Sequence, residues 1–154
     1  MAEKKSNMSS KVLDEHNILR DNISNLSAKI EMEIPDEKYE EWRLEFMWQL
    51  RDFRNHCLKH FDFEELGGFM KDVLNDSPES IKIVKKLEDD HSNIIKELDG
   101  ILDDLKLLEE KEDTKLEEIK GNVKHLIIRL KAHEKAENDL IQKVYSQEYG
   151  YPGG

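Results

Sequence analysis

The chain has 154 residues, 38% of them charged and 37% hydrophobic, with 35 acidic against 24 basic side chains and a net charge of −11. That length buries one core without disulfides, and a charged fraction well above the usual figure of roughly a quarter suits long amphipathic helices with broad wet faces. The negative charge opposes nucleic acid and anionic membrane surfaces, and no window approaches the ~18 consecutive apolar residues of a membrane span.

Ser9 or Ser10 can cap a first helix, leaving residues 1–8 as a flexible tail, and Val12, Leu13, Leu19, Ile23, Leu26 and Ile30 recur at helical spacing until "EIPDE" interrupts them. A second helix opens near Asp36 and carries Trp42, Phe46, Leu50, Phe53 and Cys57 on one stripe, then His60 and Glu64, before Gly67 and Gly68 end or kink it. Trp48 reads with Trp42 and the phenylalanines as core. "NDSPES" supplies a turn with a capping serine and a proline at the first helical position, after which Ile81, Val84, Leu87, Ile94, Leu98, Ile101 and Leu105 define a third helix. The run "EEKEDTK" closes it. A fourth helix follows, with Leu116, Ile119, Val123, Leu126, Leu130, Leu140, Ile141 and Val144 facing inward, and "YGYPGG" frays. The expectation is an all-α, up-down-up-down four-helix bundle over residues 9–147, with a flexible tail over 148–154. The lone Cys57 forms no internal disulfide and "MAEKKSNMSS" lacks a signal-peptide core, so a cytoplasmic location is expected.

His16, His60, His91 and His133 lie on the apolar stripes of four different helices. In an antiparallel pair joined by a tight turn, two residues are level when the turn sits midway between them, because each residue advances about 1.5 Å. The midpoints between positions 16 and 60, 60 and 91, and 91 and 133 fall at or beside "EIPDE", "NDSPES" and "EEKEDTK". The four histidines therefore belong to one layer. Glu64 and Glu137 stand four residues after His60 and His133, on the same helix faces, and the two halves of the chain repeat one another.

A single histidine on an apolar stripe is more often a hydrogen-bonded core residue than a ligand. Four at one level with two carboxylates are another matter, since burying them uncompensated costs several kcal/mol. A metal centre compensates all six at once; imidazole with carboxylate suits iron, zinc or manganese, and two carboxylates able to bridge suggest a pair of ions. Around this set, Glu65 could replace Glu64 as ligand but is rotated off the His60 face, Asp89 and Asp90 are placed to orient an imidazole or are simply solvated, and His125 reads as an ordinary helix-face residue. His56, one turn before His60, is either a fifth imidazole ligand or a cavity-lining residue.

The repeated pattern of H, then H-x-x-x-E, resembles the hemerythrin-like (HHE cation-binding) family over roughly residues 10 to 147. "DEHNILR", "HFDFEE", "DDHSNI" and "AHEKAEN" are similar to that family's four ligand-bearing segments. The resemblance implies two iron ions in a non-haem centre, held by His16, His60, Glu64, His91, His133 and Glu137, with the glutamates bridging. The chain departs from oxygen-carrying hemerythrins at two points: Leu87 and Ile95 flank His91 where a paired H-x-x-x-H would be, and Asn138 stands where H-x-x-x-x-D would place an aspartate. A ferritin-like or rubrerythrin-like centre needs two E-x-x-H motifs, and only Glu88 to His91 fits. The leading expectation is a di-iron protein that binds dioxygen or a related small ligand for sensing, storage or iron handling. Its rivals are a di-iron enzyme activating oxygen, peroxide or nitric oxide, and a helical interaction module with a structural metal.

Overall fold

The computed structural model describes the backbone of residues 2–145 and the side chains from Met8 onward. Among these residues the chain is all-helical: α1 Ala2–Glu31, α2 Tyr39–Glu65, α3 Phe69–Asp76, α4 Ile81–Leu107 and α5 Asp113–Tyr145, with short 3-10 turns at Asp36–Lys38 and Pro78–Ser80. Four of these helices are long and pack together. α2 lies against α1 and α4, and α5 lies against α4 and α1, so each long helix touches two others. No helix among the described residues is long and apolar enough to cross a membrane.

Several boundaries differ from the sequence reading. α1 begins at Ala2, so residues 2–8, expected as a tail, are helical; the run contains no glycine or proline, and neither Ser9 nor Ser10 starts a new helix. The tail expected over 148–154, with residues 146 and 147 of the expected domain, lies outside the described residues. Ser77 does not cap a backbone amide; its hydroxyl donates to Glu79 at 2.9 Å and lies 2.8 Å from the Ser80 hydroxyl. Trp48 is 72% exposed because the buried stripe of α2 runs through Trp42, Phe46, Leu50, Phe53, Cys57, His60 and Glu64, and position 48 falls on the opposite face. Ile81 is likewise exposed.

The main departure is α3. Its Phe69, Met70 and Val73 are buried, and it packs on α1, α2 and α4. It exists because the chain turns sharply at the two glycines. A Cβ on Gly67 would collide with the Phe63 carbonyl oxygen that ends α2, and Gly68 adopts φ 96°, in the left-handed region.

The apolar interior is divided. One cluster, including Leu19, Phe46, Leu50, Phe53, Leu98 and Leu126, fills the side toward the α1–α2 and α4–α5 connections; a second, including Val12, Phe69, Val73, Leu87, Leu140 and Ile141, fills the other. Along every long helix the boundary between them falls at the same kind of residue: His16 between Val12 and Leu19, His60 and Glu64 after Cys57, His91 between Leu87 and Ile94, His133 and Glu137 between Leu130 and Leu140. A polar layer thus separates two dry cores.

Gly68→Ala tests the turn that creates α3. The nearest atom to the added Cβ is Met8 Cε at 3.8 Å, so packing is undisturbed and the cost is the left-handed backbone alone. Urea melts should show a loss of about 1–2 kcal/mol.

Candidate metal centre

His16, His60, Glu64, His91, His133 and Glu137 are all buried, and the structure brings all six expected residues into one cluster. They form two overlapping groups, His16, His60, Glu64 and Glu137 on one side and Glu64, His91, His133 and Glu137 on the other, each with ligand-type atoms within 4.8 Å of one another. The two glutamates belong to both groups. Every imidazole turns Nε2 inward: His16 lies 3.1 Å and His133 3.3 Å from Glu137 Oε1, while His91 lies 3.0 Å from Glu64 Oε1 and His60 3.3 Å from Glu64 Oε2.

Every Nδ1 points outward and donates to an acceptor. His60 donates to Glu15, His91 to Glu65 at 2.7 Å, His133 to Asp90 at 3.3 Å and His16 to Asn138 Oδ1 at 2.9 Å. These outer partners follow a rule. Each is the sequence neighbour of a cluster residue on its own helix, yet each grips the histidine of the next helix. Glu15 of α1 holds α2, Glu65 of α2 holds α4, Asp90 of α4 holds α5, and Asn138 of α5 holds α1, closing a ring. The geometry follows from the α-helix: a residue adjacent to an inward-facing one is turned about 100° around the axis and so faces the neighbouring helix.

The sequence reading found the six inner residues and only one of the outer four in its proper role. Asp90 does orient an imidazole, though that of His133 and not of the adjacent His91. Glu65 is off the His60 face as expected, and that same offset presents it to His91. The signal for Glu15 and Asn138 was their position beside His16 and Glu137. His56 is exposed, and its Nδ1 lies 3.3 Å from Asn22 Nδ2, outside the cluster. It lines a cavity of about 170 Å³ with Glu15, Ile18, Leu19, Lys59 and His60, beside the centre and outside both ligand groups. His125 is exposed near Glu97, as expected for a helix-face residue, and Cys57 is packed, its thiol pushed up to about 12 by burial.

A neutral ring protonated on Nδ1 presents its Nε2 lone pair to carboxylate oxygens, and acceptor facing acceptor repels unless a proton or another positive charge lies between; His16 Nε2 and Glu137 Oε1 share such a hydrogen bond at 3.1 Å. Nε2 of His60, His91 and His133, both oxygens of Glu64 and Oε2 of Glu137 are buried without a hydrogen-bond partner. The proton affinities state the same demand. Burial disfavours the imidazolium of His60 and His91, but the facing carboxylates of Glu137 and Glu64 outweigh it and push them up to about 11 and about 10. Burial and the charge of Glu137 raise Glu64, whereas Glu137, despite its own burial, is held well below the usual range by its neighbours Glu64, His133, His16 and His60. Buried imidazole nitrogens and shared carboxylates, most of them without a hydrogen-bond partner, form a donor set that could hold a metal ion. No family model, curated protein or solved structure matches the chain.

Without metal, protons must supply the positive charge, and the sign of the consequence is fixed. Groups whose folded pKa is raised stabilise the fold fully below their unfolded value near 6.5 and lose that contribution as pH climbs through about 10 and about 11. The stability of the metal-free protein should therefore fall between pH 7 and 10 in urea melts. His60→Gln should flatten the slope, and an equally steep fall in that variant would show that the cluster is not its source.

Proposed function

We propose that the cluster holds two iron ions and that the chain is a hemerythrin-like, up-down-up-down helical protein that binds dioxygen or a related small ligand. The observation that carries this reading is the double arrangement of the imidazoles, four Nε2 atoms converging on two shared carboxylates while four Nδ1–H groups are clamped from outside. Outer hydrogen bonds of this kind fix the tautomer and raise the basicity of a metal-binding histidine. Protons alone would not require four rings to be held with the same nitrogen inward.

His16 and His60 would hold one ion, His91 and His133 the other, and Glu64 and Glu137 would serve both. When bound, iron supplies a redox-active centre for a small ligand. The protein supplies the enclosure. Phe61 stacks on His91 at 4.0 Å between ring centroids with 9° between planes, and the two apolar cores lie on either side of the layer. Such surroundings exclude water and favour a small neutral diatomic molecule over a charged substrate.

Metal analysis of protein made with adequate iron should find about two ions per chain, as a binuclear site requires. The reduced protein should change its optical spectrum in air and recover when oxygen is removed. Consumption of the ligand without recovery would favour an enzyme activating it, and a spectrum indifferent to air would favour a structural metal. A single ion per chain after reconstitution would remove the binuclear reading.

Substitution separates the inner histidines from the rest. His60→Ala or His133→Ala should lose metal, at least the ion of its own half. His125→Ala, at an exposed site about 12 Å along the helix from the layer by the helical rise, should keep both ions, as should His56→Ala. If His125→Ala emptied the site while His60→Ala left both ions in place, the ligand assignment would fail.

A further inference from the structure

The ring of outer hydrogen bonds is uneven in charge. On the α1–α2 side, the His60 partner is the carboxylate of Glu15 but the His16 partner is the neutral amide of Asn138. On the α4–α5 side both partners, Glu65 and Asp90, are carboxylates. Exposure does not blur the contrast, because the side chains of Glu15, Glu65 and Asp90 are 28%, 35% and 23% exposed and so are screened to similar degrees. The inner carboxylates Glu64 and Glu137 are common to both halves and cancel from the comparison.

We infer that the two halves of the centre bind metal unequally, the His91–His133 half holding its ion tightly and the His16–His60 half holding an exchangeable one, with Asn138 setting the difference. This rests on the metal-binding reading above. A carboxylate accepting the Nδ1 proton pushes electron density through the ring to Nε2 and adds a negative charge close to the ion; an amide adds neither. Two further features act in the same direction. The His91 ring is fixed by its stack on Phe61, which restrains it for binding. On the other side, the cavity of about 170 Å³ lined by Glu15, Ile18, Leu19, His56, Lys59 and His60 runs along the outer face of the His60 half and brings the basic side chain of Lys59 beside it. The Asp90 bond, at 3.3 Å, is the longest of the four and tempers the contrast without removing the charge.

A single outer partner changes metal affinity by about 10–100-fold, so the two halves should differ by about 10-fold or more. The test is a graded chelator challenge of the zinc-loaded full-length protein, with retained metal counted by mass spectrometry and helix content followed by circular dichroism. Two successive losses are expected from the wild type. Repulsion between neighbouring ions would also produce two steps, so single-half variants decide. His16→Ala should keep one ion that resists chelator, and His133→Ala should keep one that yields at about 10-fold lower chelator. His60→Ala and His91→Ala provide the same comparison if either of those fails to fold. Asn138→Asp should close the gap by strengthening the weak half, and Asp90→Asn should close it by weakening the strong one. Equal retention in His16→Ala and His133→Ala, or a gap unmoved by Asn138→Asp, would overturn the inference while leaving two bound ions intact. A wild-type protein that takes up no zinc would instead remove the metal reading beneath it.

Discussion

Two carboxylates, Glu64 and Glu137, sit in the interior with 0% and 1% of their surface exposed, and the rest of the structure is arranged around that fact. An ionised carboxylate withdrawn from water costs several kcal/mol even after relaxation, and two in one pocket repel one another as well. Hydrophobic packing cannot compensate this. Positive charge can, and the four imidazoles are the groups that protons or metal ions would use to deliver it. The polar layer is therefore a standing requirement for cations written into the core.

That requirement has a structural cost, and the fold meets it by keeping the layer thin. Along each long helix the polar positions occupy only one or two turns before apolar residues resume, so the two cores on either side bury enough surface to hold the helices together. α3 belongs to this arrangement. By turning back at Gly67 and Gly68 it lays Phe69, Met70 and Val73 into the second core, which would otherwise lack part of its covering at the end beyond Glu64. A helix of 8 residues is marginal alone, so it is packing that stabilises α3.

This division explains what could be read from the sequence. The long helices and the six inner residues announce themselves through the 3.6-residue period, because an inward-facing position must be apolar or compensated, and a histidine or glutamate there breaks the pattern visibly. Turn positions then fix the level. Trp48 departs from the expectation because an aromatic residue among aromatics looks like core; only strict phase along α2 shows that position 48 faces water. α3 was hidden because its few residues lie between two turn signals, and its stability comes from contacts with α1, α2 and α4 that no local pattern encodes. The outer partners were hidden for a different reason. On a chain with 35 acidic residues, Glu15 and Glu65 resemble ordinary solvated charges until the neighbouring helix is in place.

The ring of outer hydrogen bonds also couples register to the site. In each long helix a cluster residue and its sequence neighbour perform two tasks, the first facing inward and the second clamping the adjacent helix's histidine. Sliding one helix by a turn, about 5.4 Å, would keep its apolar face toward the core and lose little hydrophobic energy. It would, however, displace its own inner ligand, release the histidine it clamps and pull its own histidine away from the helix that clamps it. Apolar packing alone tolerates such slips because methyl groups are interchangeable. Hydrogen bonds and buried charges do not, so the polar layer restricts the helices to one register, and the cyclic order of the clamps means that no helix can shift without disturbing both of its neighbours.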